Sequence, residues 1–132
     1  APLDAQHPVM VATLVQVDRL SESSRLGRIF SEQIAGRMVQ RGVRVVELKL
    51  RDSVALQRDQ GERLLSREVR EVSQSHDAQA VVVGTYAASA SALYISLKRV
   101  APVGNTVVAA HNYAVPMDEN VRVLLASGGL RY

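Results

Sequence analysis

Histidine is the side chain best suited to hold a metal or move a proton near neutral pH, and this chain has three: His7, His76 and His111. A metal site wants two such ligands at helical or strand spacing with a carboxylate nearby in sequence, and none of the three is so arranged. His76-Asp77 falls just past a predicted helix, where the imidazole acts as a C-terminal cation beside a turn residue. His111 alternates with Ala109 and Tyr113 and reads as a sheet-surface residue. There is no cysteine, which excludes disulfides, thiolate metal sites and cysteine nucleophiles together.

Phosphate chemistry finds no loop to work in. The turn after the first predicted strand, Asp18–Ser24, lacks the glycines that let backbone amides cradle a pyrophosphate. The one adjacent glycine pair, Gly128-Gly129, lies near the C-terminus with no strand before it, and no Gly-x-Ser-x-Gly elbow exists. With nucleophile, base and oxyanion donors all unassigned, the expectation is a protein that is not an enzyme, with no catalytic, cofactor-binding or metal residue and no cofactor.

What remains are polar side chains in the connections. Arg51 and Asp52 directly follow apolar Leu50, Gln60 and Glu62 flank Gly61, and Ser66 and Arg67 come shortly after. Such residues form local salt bridges and caps, or they contact a partner protein. Tyr86, Tyr94 and Tyr113 are placed to form a stripe across neighbouring strands, a half-exposed sheet face or a docking surface, since tyrosine is enriched at interfaces.

The elements that must carry these residues follow from hydrophobic period. Ala1–His7 reads as a frayed terminus. Val9–Val17 is apolar in both alternating sets, the mark of a central strand covered on both faces. Ser23 or Ser24 caps a first helix over Arg25–Gln40, whose stripe is Leu26, Ile29, Phe30, Ile34 and Met38, with Gly42 as its left-handed stop. Val43–Leu50 is a second strand in which Glu47 and Lys49 give edge character. Arg51–Gly61 reads as a loop with a short helical turn at Ser53–Leu56. A second helix then runs from Gly61 or Glu62 to Ser75, burying Leu64, Leu65, Val69 and Val72 and pairing Arg67 with Glu71 outside. Ala80–Tyr86 is a third strand. Ala92–Val100 and Thr106–Tyr113 form an antiparallel hairpin through Gly104-Asn105, and Glu119–Ala126 a last short helix behind Asp118.

The order β-α-β-α-β-β-β-α, without repeat or linker, predicts one α/β domain over residues 1–132. Its mixed sheet has about five strands, the first three parallel by right-handed crossover and the C-terminal hairpin antiparallel, with helices packed on it. At 132 residues the chain suffices for one core, and its longest apolar runs are strand-sized, far short of a membrane span. The net charge of +3 is carried almost wholly by arginine, with glutamates scattered among the basic residues and no uninterrupted basic tract. Nucleic acid is therefore not the expected partner. The alternative from that class is a basic module using Arg25, Arg28, Arg37 and Arg41, and a third is a small enzyme in which the histidines converge with Arg51 and Asp52.

Taken in order, these segments also carry a family resemblance. Ser31-Glu32-Gln33-Ile34-Ala35 and Gln40-Arg41-Gly42-Val43-Arg44-Val45-Val46-Glu47-Leu48 resemble the first helix and second strand of the FlgO family of bacterial outer-membrane proteins. Leu50-Arg51-Asp52-Ser53, Gln60-Gly61-Glu62, Leu65-Ser66-Arg67-Glu68, Ala78–Tyr86, Val108–Tyr113 and Asn120-Val121-Arg122 resemble that family's later segments in the same order, from about Pro8 to Leu125. The resemblance implies a non-enzymatic protein, exported to the periplasm and usually lipid-anchored at the outer membrane, linked in some bacteria to the flagellum and motility. It implies a fold similar to TolB amino-terminal and anticodon-binding domains. It also implies partners among envelope or flagellar proteins or further copies of itself, with no small-molecule substrate. Two features depart from the family. No lipid-anchor cysteine stands near Ala1, so anchoring would fall to residues upstream, and the turn Ala87–Ser91 lacks the expected Gly-Asp pattern.

Overall fold

The first strand decides the layout. Val9–Ala12 (β1) is buried at every residue, and it lies between Val45–Leu48 (β3) and Ala80–Ala88 (β6), parallel to both. The computed structural model describes residues 3–16, 25–48, 56–59 and 62–126. Among them the main sheet runs β3-β1-β6-β7-β8, with Ala92–Ala101 (β7) and Thr106–Pro116 (β8) added as antiparallel neighbours. The expected parallel trio and C-terminal hairpin are both present. The turn between β7 and β8 is made by Gly104 and Asn105, both with positive φ, as a tight hairpin demands.

Because side chains alternate, the sheet has two distinct faces. Val9, Val11, Ala80 and Val82 look toward Arg25–Gln40 (α1) and pack with Ile34, Ala35 and Met38. Further along that face, Leu14, Tyr86, Leu93 and Ile95 meet Leu26 and Phe30 of α1 and Val121 of Glu119–Ala126 (α3). The other face carries Met10, Ala12, Val81, Val83 and Val100, covered by Val69 of Arg67–Ser75 (α2) and by Leu65.

Three expectations are corrected. The strand foreseen over Val9–Val17 breaks at Thr13-Leu14, and the chain resumes as Val15–Gln16 (β2), now paired with Thr85 and Tyr86 of β6. The break has a visible cause: Ser31 of α1 inserts its hydroxyl there, accepting from the Leu14 amide at 2.9 Å and donating to the Gly27 carbonyl at 2.8 Å. Within the loop and helix start foreseen over Arg51–Glu62, Leu56–Asp59 (β4) and Glu62–Leu65 (β5) instead form an antiparallel pair, while residues 51–55, 60 and 61 fall outside the described residues. The second helix begins only at Arg67, because Ser66 is its N-cap and accepts the Val69 amide at 3.3 Å. Leu65 is thus buried from a strand, and Val72, foreseen inside, is 38% exposed.

The frayed terminus is the third correction. From residue 3 onward the segment is tied down: Asp4 accepts the Gln6 and His7 amides at 2.9 and 2.8 Å, and Gln79 bonds the Asp4 amide and the Asp4 and His7 carbonyls. His7 sits between Asp4 and Asp77, 3.1 and 3.4 Å away.

Glycine spacing in α1 gives a sharp test. A Cβ at Gly27 would lie 2.3 Å from the Leu14 carbonyl oxygen, whereas one at Gly36 meets nothing within 4 Å. Gly27→Ala should therefore cost ~2 kcal/mol or more, as overpacking against backbone does. Gly36→Ala should add about 0.5–1 kcal/mol by lowering the entropy of the unfolded chain. Urea unfolding of both variants checks the opposite signs.

Candidate functional site

Among the described residues the cover on the α2 face stops short. Register places three rows of side chains across β6, β7 and β8 on this face: Val83–Lys98–Ala110, Thr85–Ser96–Asn112 and Ala87–Tyr94–Ala114. Val83 is buried beneath α2 and Leu65, but Asn112, Ala114 and Tyr94 are exposed and Thr85, Ser96 and Ala87 only half-buried. Between the rows lies an open depression of about 450 Å³ whose lining includes Thr85, Ala87, Tyr94, Ser96, Asn112 and Ala114. Its chemistry is neutral: two hydroxyls and an amide in one line, an aromatic ring and small apolar side chains on the next. Such a surface donates and accepts hydrogen bonds and offers flat apolar area.

The depression opens onto β8, the last strand of the sheet. All its residues but Ala109 and Val115 are exposed. Its outer edge has no partner strand among the described residues. Both ends are held. At the start, Asn105 bridges to Leu65 through its amide, accepting the Leu65 N–H at 3.1 Å and donating to the Leu65 carbonyl at 3.4 Å. At the finish, the Met117 amide donates to the Ser91 carbonyl at 3.0 Å. The turn that departs from the family's Gly-Asp pattern is closed by Ser89, whose hydroxyl accepts the Ala92 amide at 3.1 Å.

The foreseen tyrosine stripe does not form. Tyr86 pairs with Ile95 and Ile95 with Tyr113, so those residues share the α1 face, where Tyr86 is only 4% exposed. Tyr94 pairs with Ala87 and points to the opposite face. Parity alone separates them, since direct partners always share a face. Tyr113 is half-exposed at the sheet margin and stacks on His111, ring centroids 6.5 Å apart. Of the connection residues, Arg51, Asp52 and Gln60 lie outside the described residues. Glu62 opens β5, Ser66 is spent as a helix cap, and exposed Arg67 meets Glu71 at 3.4 Å. His7, His76 and His111 do not converge. The first two flank the loop after α2, and the third is on β8. Thr85, Ser96, Asn112 and Ala114 escaped the sequence reading. The signal for them was the alternation of Tyr94, Ser96 and Lys98, once the two hairpin registers are known.

Among the described residues no group of three His, Asp or Glu side chains is placed to hold a metal, and no helix is long and apolar enough to cross a membrane. Arg25, Arg28, Arg37 and Arg41 are exposed on or just beyond α1, with Glu32 between them.

The terminal clip carries a charge held in place by hydrogen bonds. The His7 backbone amide, helped by the His7 ring and the Gln6 amide, holds the Asp4 carboxylate below its ordinary 3.8. A depressed carboxylate contributes its hold above the ordinary value and loses it as pH falls through the lowered one. The Gln6 and His7 amide resonances should therefore titrate together with a midpoint below 3.8, and Asp4→Asn should abolish that titration; NMR across the acid range checks both.

Comparison with known proteins places this geometry. The family model for FlgO, described as FlgO protein, matches residues 1–120. Among curated protein sequences none matches the chain. Among solved structures, the fold is similar to the PelC dodecamer from Paraburkholderia phytofirmans (TM-score 0.61, 12% identity, 96% of this chain and 86% of that one). It is similar also to the LpoB C-terminal domain from Escherichia coli (TM-score 0.60, 11% identity, 89% and 88%). Lipoprotein GNA1162 from Neisseria meningitidis is a third (TM-score 0.53, 8% identity, 85% and 82%).

Proposed function

Because the chain belongs to the FlgO family, we propose that it is a non-enzymatic component of the bacterial cell envelope, held at the outer membrane and working by contact with other proteins. The observation that carries this reading is the uncovered part of the sheet, where a neutral polar row and Tyr94 run out to an exposed last strand. Water-accessible sheet of this composition gains from being covered: flat aromatic and alanine surface is buried, and Thr85, Ser96 and Asn112 find partners for their hydrogen bonds. A reaction would need titratable groups gathered around a substrate, and among the described residues lining the depression the one titratable side chain on this face is the Tyr94 phenol.

Two further features support the envelope setting. One of the proteins sharing the fold is named a lipoprotein, and the PelC structure that shares it is a dodecamer, in keeping with a scaffold that assembles. Attachment in this reading is by a lipid anchor. A role in flagellar motility, in hosts that swim, is the finer part of the proposal and rests on family membership alone.

The test uses the full gene product in its own host. Cell fractionation should recover it with the outer membrane, and crosslinking there should trap envelope proteins. Tyr94→Ala combined with Ala114→Arg should lower that crosslinking about tenfold or more, as loss of an interface anchor does, while leaving the thermal midpoint within a few degrees. Recovery in the cytosol, or turnover of a small molecule by the purified chain, defeats the reading. Unchanged swimming after gene deletion in a flagellated host defeats only its flagellar part.

A further inference from the structure

We propose that β8 pairs antiparallel with β8 of a second copy of this chain, joining two sheets across a two-fold axis. The inference rests on the reading of this margin as a protein-contact surface and names its occupant. An edge strand exposes a row of N–H and C=O groups ready to pair, and folded proteins blunt such edges with charge, proline, bulges or shortness. β8 has almost none of these. It is eleven residues long, its only proline is the final Pro116, and its one register irregularity, opposite Arg99/Val100, lies near its start.

Charge identifies the partner. A strand paired with itself across a two-fold sets residues near its middle against their own copies, so any lysine or glutamate there would face its like. From Thr106 to Pro116 the sequence has no Asp, Glu, Lys or Arg, so no fixed charge meets its like in any register. The other margin of the sheet is a poor mate. Among the described residues β3 offers four and exposes Glu47, a poor match in charge for β8. Pairing β8 with β8 also covers what is now exposed, since Val107, Val108 and Tyr113 are 40%, 47% and 50% accessible. The strand is held at both ends, by Asn105 on Leu65 and by Met117 on Ser91, so little order remains to be created on association.

Sedimentation equilibrium of the purified chain should show a reversible dimer. Val108→Lys with Asn112→Lys places like charges across the axis and should raise its dissociation constant about tenfold or more. The chain has no cysteine, so single cysteines at Ala109, Ala110, His111 and Asn112 give clean crosslinks. At least one should join two copies on oxidation, and Glu47→Cys should not; this series decides the matter if the lysine variant fails to fold. A monomer at every concentration overturns the proposal, as does a dimer indifferent to the lysines or one crosslinked through position 47. A monomer that takes an envelope protein's strand onto β8 overturns self-pairing and leaves the protein-contact reading standing. Cytosolic recovery in the fractionation test does the reverse.

Discussion

The fold depends on how closely α1 lies against the end of β1. Gly27 comes so near the Leu14 carbonyl that a methyl group has no room, and Ser31 occupies the position a strand neighbour would otherwise take. Ser31 is 6% exposed and its hydroxyl satisfies a buried amide that the broken strand leaves over. That break lets the chain shift from β1 to β2 while staying beside β6, and it drives Leu14 into the space above Gly84, where a side chain at residue 84 would collide with both Leu14 and Leu97. One close approach thus sets three things together: the position of α1, the path of the first strand and the packing of the hairpin's inner face.

The consequence for function is an asymmetry of cover. On the α1 face the sixteen-residue helix and α3 together reach as far as Val115 on β8. On the opposite face the described cover is the nine-residue α2 with Leu65 of β5, and it reaches only to Val100. Sheet area beyond that point stays in contact with water, and it carries Lys98, two hydroxyls and an amide where the buried rows are aliphatic. The open surface follows from the lengths of the covering elements, and its place at the margin follows from the strand order.

Sequence period made most of this visible where one reading fitted. The stripe of α1 admits only a helix, it ends at Gln40 as expected while the foreseen caps Ser23 and Ser24 lie outside the described residues, and Gly42 has the positive φ foreseen for its stop. The hairpin was equally plain, because Gly104-Asn105 can serve as little else than a tight turn. The stretch from Leu56 to Leu65 was not legible for a physical reason. Leu64, Leu65, Val69 and Val72 fit helical spacing, so the apolar pattern runs smoothly across a boundary that only Ser66 marks, through its side-chain bond to Val69. The tyrosines failed differently. Strand existence does not specify parity, and a difference of one residue between Tyr86 and the partner of Tyr94 sends them to opposite faces.

The two margins of the sheet show why β8 rather than β3 is the surface of interest. β3 alternates Val46 and Leu48 against exposed Glu47, and sits beside the clip in which the Arg44 guanidinium donates to the Gln6 carbonyl at 2.9 Å. That margin is charged and fastened, which discourages strand addition. β8 is the reverse, uncharged along its length and anchored only at its ends by Asn105 and Met117. Nine of the eleven residues of β8 are exposed, and a single lysine among them would add solubility. The absence of charge from both faces of the strand is what a covered surface requires, and it ties the neutral row of Thr85, Ser96 and Asn112 to the same purpose.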